Sequence, residues 1–242
     1  MKKRLIALLF AFVLTLAGTS VGIAGTKACG GNDPVCKKFA ALAAAGQFAK
    51  IVGKVNPYQT YSAAAMDLIG QAYHMMAGRE NNTPEQKEKF CVKALEYGAT
   101  SAYLDLYYLH AGTDAQKALR YLKQYVATKP QDSSAYTRLG EAEFNKGNYA
   151  GAQQYLQEAK KAARGRSVNL DWLLFKASYL SGDFKTASAM LDSSLSQGKT
   201  FGDIKALVAS DSRFSGMSSR SDFRKFFNIL NGTTMTKVYV RS

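Results

Sequence analysis

The chain has 242 residues, a formal net charge of +14, 47% hydrophobic residues, three cysteines and two histidines. Beyond the first two dozen residues no run is apolar enough to span a membrane. No phosphate-cradling glycine loop, CxxC or CxxCH motif occurs, which argues against nucleotide, redox and haem chemistry of the motif-borne kinds.

The first element is a leader. Lys2, Lys3 and Arg4 form a basic start, and Leu5 to Ala17 form an apolar core. Gly22, Ile23 and Ala24 offer small residues to a peptidase, so residues 1–24 read as a secretion signal cleaved after Ala24. The core falls short of the ~20 residues of a membrane span. The style of signal points to export into the bacterial periplasm. Loss of its three cations leaves the mature chain at +11.

Residues 25–62 read as an N-terminal segment with capping helices. Cys29 and Cys36 flank Gly30, Gly31, Asn32 and Pro34, a turn able to close a small disulfide, and an oxidising compartment suits it. Cys29–Cys36 is the favoured pairing and leaves Cys91 alone on a helix; Cys36–Cys91 is the alternative. Phe39, Leu42, Gly46, Phe48 and Ile51 make a partial helix pair, which Asn56 and Pro57 break.

Residues 63–200 read as about four helix pairs. In the first, Ile69, Gly70, Ala72 and Tyr73 mark one helix. After an enlarged loop, Thr83, Pro84 and Gln86 then give a cap, a proline at the first helical position and the makings of a capping box. Phe90, Cys91, Ala94 and Leu95 follow on the next helix. The second pair is clear in its second helix, with Ala118, Tyr121, Leu122, Tyr125 and the stop at Pro130. Its first helix carries Asp105 and Leu106 where Leu and Gly are expected, and its turn at Gly112 is shifted.

The third pair, Ser134 to Ala162, carries Tyr136, Leu139, Gly140, Ala142, Phe144, Gly147, Tyr149, Ala152, Tyr155, Leu156 and Ala159. Leu139 and Ala142 share one helical face; Tyr149, Ala152, Leu156 and Ala159 share the next. Gly140 and Ala152 let two backbones approach, and Gly147 and Asn148 tolerate the left-handed conformation that ends a helix. The fourth pair has Trp172, Phe175, Tyr179, Gly182, Asp183, Phe184, Ala187 and Leu191. Residues 201–232 read as capping helices, with Leu207, Phe214, Phe223, Phe226 and Phe227 covering the last pair. Residues 233–242 read as a flexible tail.

The order and spacing of these anchors resemble the tetratricopeptide repeat, a helix–turn–helix unit of ~34 residues. Around Ala94 to Tyr103 the chain also resembles the related Sel1-like repeats. The resemblance covers about Ala63 to Phe227 and implies an all-α, right-handed α-solenoid. In this family the first helices line a concave face that holds a protein or peptide partner. Carried over by register, that face comprises Asp67, Gln71 and His74; Tyr103, Tyr107 and His110; Thr137, Glu141 and Phe144; and Leu173, with Ala177 and Leu180 making its end apolar. Some relatives clamp a terminal carboxylate with Lys and Asn. Tyr103 and Tyr107 stand at those positions here, so that ligand is not expected.

No catalytic residue, metal or cofactor is expected. His74, His110 and Cys91 lack ligand spacing, and Cys91 reads as a small buried apolar residue. The expected function is a non-catalytic adaptor or scaffold for a protein or peptide partner, in envelope assembly or secretion. The alternative is an accessory protein binding anionic polysaccharide, peptidoglycan or lipid. Its basic clusters would be Lys37–Lys38, Lys160–Lys161 with Arg164 and Arg166, and Arg220 to Lys225. Export and the lack of a nucleic-acid motif argue against nucleic acid.

Overall fold

A computed structural model describes residues 29–230. The leader at 1–24 and the tail at 233–242 lie outside the described residues. Among the described residues the regular structure is all helical: α1 (Pro34–Ala44), α2 (Phe48–Val52), α3 (Ala63–Ala77), α4 (Pro84–Glu96), α5 (Ala102–His110), α6 (Ala115–Thr128), α7 (Ser133–Asn145), α8 (Tyr149–Ala162), α9 (Val168–Ser181), α10 (Phe184–Ser196), α11 (Phe201–Ser210), a 3-10 segment (Ser212–Ser219) and α12 (Arg224–Leu230). The chain divides into two compact units between Ala118 and Leu119, inside α6.

In the first unit α1 and α2 pack on α3, and α3 pairs with α4, which packs on α5. A disulfide joins Cys29 to Cys36. The Asp33 carboxylate caps α1 at the Cys36 N–H (2.8 Å) and also accepts from the Ser62 hydroxyl, so one side chain ties the start of α1 to the start of α3. Phe39, Ile51, Leu68, Ile69 and Ala72 fill the core behind it. At α4 the capping box forms: Thr83 accepts from the Gln86 N–H and Gln86 returns to the Thr83 N–H. Pro84 leads the helix, where a missing N–H costs nothing.

In the second unit α7 pairs with α8, α9 packs on α8, and α9 pairs with α10. Leu139 and Leu156 are fully buried between α7 and α8, each contributing about 1.5–3 kcal/mol. Gly147 ends the first helix at φ 81°. A buried carboxylate holds the next layer: Asp171 on α9 accepts from Lys160 on α8, from Ser193 on α10 (2.5 Å) and from Gln197 just beyond it (2.7 Å). Burial opposes its charge, but these donors outweigh it and hold the Asp171 pKa below the ordinary carboxylate value. At the C-terminal end Phe214, Phe223 and Phe226 are buried against Phe175 and Tyr179, with the Tyr179 and Phe214 rings stacked at 5.0 Å.

Candidate binding groove

The second unit shows how a groove arises. On α7 the residues Ala135, Leu139, Gly140 and Glu143 face inward, which leaves Thr137, Arg138 and Glu141 on the other side. On α9 Leu170 and Leu174 face inward, and Leu173 stands half-buried beside them. Between the two helices lies a groove of about 450 Å³. Thr137, Glu141 and Leu173 line it together, with Arg138 and Asn169.

Phe144 is placed differently. Its ring meets Tyr149 edge-on at 5.3 Å and is covered by Lys176 (5.4 Å) and Arg213 (5.6 Å). Arg213 also donates to the Tyr149 hydroxyl at 2.6 Å and grips Asp211, which raises its pKa further and keeps it charged. Lys176 is pushed below the ordinary lysine value by desolvation.

The end of this face is not the apolar surface expected. Ala177 is fully buried among the residues between α8 and α9, and Leu180 packs into the C-terminal aromatic core. The turns explain the difference. Gly182 closes its hairpin at φ 89°, as Gly147 does at 81°, and Lys176 stands the same distance ahead of its glycine as Glu141. The corresponding face of α9 is therefore Trp172, Leu173 and Lys176. Lys199 lies over the Trp172 ring at 5.1 Å.

In the first unit Gln71 donates to Asp67 one turn earlier on α3 (3.0 Å), so the two side chains satisfy each other. His74 links α3 to the start of α5. Its Nε2 lies 2.5 Å from Asp105 Oδ2, and its Nδ1 lies 3.3 Å from the Ser101 hydroxyl.

That triplet has the composition of a hydrolytic triad, but the three backbone N–H groups that follow Ser101 are already taken and do not serve as an oxyanion site. The N–H groups of Ala102, Tyr103 and Leu104 already donate to the carbonyls of Ala99, Thr100 and Ser101. Cys91 is no better a nucleophile. Burial, aided by the charges of Asp105 and Glu88, pushes its thiol up to about 12. Among the described residues no group of three or more His, Cys, Asp or Glu is placed to hold a metal.

The face of α5 sits one residue away from the expected register. Ala102 and Leu106 are fully buried. Leu106 therefore takes the place that Leu139 has in α7, and Asp105 is exposed. His110 is largely buried: its side chain is 12% exposed and its Nε2 faces Glu88 of α4 at 3.3 Å. Tyr103 and Tyr107 are half-buried, and Tyr107 lies against Tyr108, their ring centroids 5.1 Å apart. The outward residues are Asp105 and Tyr108. Asp114 caps the next helix at the Lys117 N–H, as Asn148 does at Gly151, and one residue fewer separates Leu106 from its cap. That missing residue moves the face.

Trp172, Lys176, Asp105 and Tyr108 were thus not singled out as face residues by the sequence pattern. The spacing back from each hairpin's turn is the signal that locates them.

Residues 109–170 match the tetratricopeptide repeat family model, from the end of α5 through α6, α7 and α8 into α9. A search of curated proteins finds no match. The chain carries a tetratricopeptide-like, all-helical repeat domain with paired adjacent helices, a fold whose general role is protein–protein scaffolding.

Proposed function

We propose that this repeat protein is a non-catalytic scaffold that seats a segment of a partner protein along the first-helix face of its hairpins, between α7 and α9. Its repeats would stack as a right-handed solenoid. The observation that supports this is the groove itself, where Thr137, Glu141 and Leu173 converge from two successive first helices. Leu173 supplies apolar area, the kind of surface that anchors a bound segment. Glu141 and Arg138 both line the groove and bring opposite charges, which would fix the segment's direction.

The leader read in residues 1–24 would send the mature chain to the bacterial periplasm, where envelope assembly or secretion would be its setting. The rival reading, attraction to an anionic polymer or lipid surface, draws less support. Several cations of the basic clusters are engaged within the fold. Lys160 pairs with Asp171, Lys161 with Glu158 (2.6 Å) and Lys225 with Asp192, while Arg220 lies on the Phe184 ring at 3.2 Å.

Photo-crosslinking in the source cell tests the proposal. A benzoylphenylalanine at position 141 is expected to give one discrete protein adduct, absent when the probe is moved to the exposed α8 position 154. The same smear from both positions would discard the groove.

A further inference from the structure

We propose that the first unit holds a second docking site, the cleft between the end of α3, α4 and α5, and that its occupant is an acidic segment of a partner protein carrying an apolar anchor residue. The cleft has a volume of about 530 Å³, within the range of sites that hold ligands and large side chains. Met75, Ala77, Tyr108 and Leu109 line it, and Cys91 reaches it from α4. Met75 and Tyr108 are each 53% exposed, two large apolar side chains at the edge of one cavity.

Charge selects the occupant. Arg79 and Lys87 also line the cleft, and among the described residues neither has an ion-pair partner. The carboxylate in the lining, Asp105, is turned to His74 at 2.5 Å. Glu88, beside the cleft, is held by Lys117 at 2.6 Å, and Glu80 lies outside the lining. An incoming carboxylate therefore meets two cations, Arg79 and Lys87, against a single lining carboxylate, Asp105, that is already hydrogen-bonded to His74, next to open apolar surface. Met, Tyr and Arg are also residue types enriched where proteins meet. The same complementarity would repel a basic segment. This site shares no residue with the α7–α9 groove, so either can stand without the other.

The test uses the full mature chain and fluorescein-labelled octapeptides. One has two central leucines flanked by glutamates, a second has lysines in place of the glutamates, and a third has serines in place of the leucines. Decanoate serves as a small amphiphile. The glutamate–leucine peptide is expected to bind best. Its affinity should fall roughly tenfold or more in Arg79→Glu/Lys87→Glu and in Met75→Asp, and hold in Leu173→Asp. Arg79→Ala/Lys87→Ala, which adds no charge, should show a smaller loss in the same direction, and circular dichroism checks that each variant folds. Equal binding of the lysine or serine peptide would overturn the proposal. So would no peptide binding at about 1 mM, whether or not decanoate binds. Loss in Leu173→Asp with none in Arg79→Glu/Lys87→Glu would also overturn it, by moving the peptide to the groove.

Discussion

The α7–α8 hairpin and helix α5 meet the same demand in different ways. In α7 the buried Leu139 is followed by glycine, and a Cβ at Gly140 would lie 2.6 Å from Leu156 Cγ. In α5 the buried Leu106 is followed by Tyr107, half-buried and set against Tyr108. The family model starts at residue 109 and so takes in the regular hairpin while leaving nearly all of α5 outside. The contrast shows that a repeat position is defined by which side chain is buried and by its distance from the turn, not by the residue type usual there.

The sharpest way to break the comparison is Leu106→Ala beside Asp105→Ala. If Leu106 holds the core position, its truncation should cost about 2–5 kcal/mol in urea unfolding, as should Leu139→Ala, while Asp105→Ala should cost under about 1 kcal/mol. The reverse order would restore the register expected from spacing alone.

Next in size is Asp171→Asn, with an expected loss of about 2–4 kcal/mol at pH 7 from breaking a buried pair whose Lys160 end stays partly in water. The pH dependence has a definite sign. A depressed folded pKa stabilises above the unfolded carboxylate value and is lost as pH falls through the folded one. The gap between wild type and variant should therefore be full at neutral pH and shrink below about pH 4. A gap that widened in acid would contradict the network drawn around Asp171.

Smaller effects are expected at two close approaches. A Cβ at Gly70 would stand 2.9 Å from the Tyr97 carbonyl, which is backbone, whereas Gly140 faces the Leu156 side chain. Gly70→Ala should cost about 1–3 kcal/mol by pressing on backbone, and Gly140→Ala about as much, because the new methyl meets the fully buried Leu156 at Cγ and forces it to repack. A cost near zero at either glycine would mean that the crossing there has more give than its geometry implies.

The smallest expected effect is none. With its thiol pushed up to about 12, native Cys91 should stay unlabelled by a thiol reagent at pH 8 and react only on unfolding. Prompt labelling would mean that the thiolate forms near neutral pH, against the upward push of burial.

The sequence made the regular parts legible for physical reasons. Thr83, Pro84 and Gln86 are a local cap, complete within one turn, and Leu139, Gly140, Ala152 and Leu156 form a pattern that needs no distant partner to be read. Helix α5 was harder because Leu104, Leu106, Tyr107 and Tyr108 are all large and largely apolar, so hydropathy alone does not phase it. Helix α9 was harder still. It buries Leu170, Leu174, Phe175, Ala177 and Tyr179 against neighbours on more than one side, which blurs its period and hid Lys176 as a face residue. Asp171 reads as a solvated carboxylate until Lys160, Ser193 and Gln197 are brought to it from other segments.

The most direct test of the binding face uses the partner recovered through position 141, purified and titrated against wild type, Leu173→Asp and Lys161→Asp over a range of salt. Leu173→Asp is expected to weaken binding at least roughly tenfold, with Lys161→Asp near wild type and only modest salt dependence. Binding that ignores Leu173→Asp and collapses as salt rises would contradict a partner seated between α7 and α9 and would return the function to the basic surface.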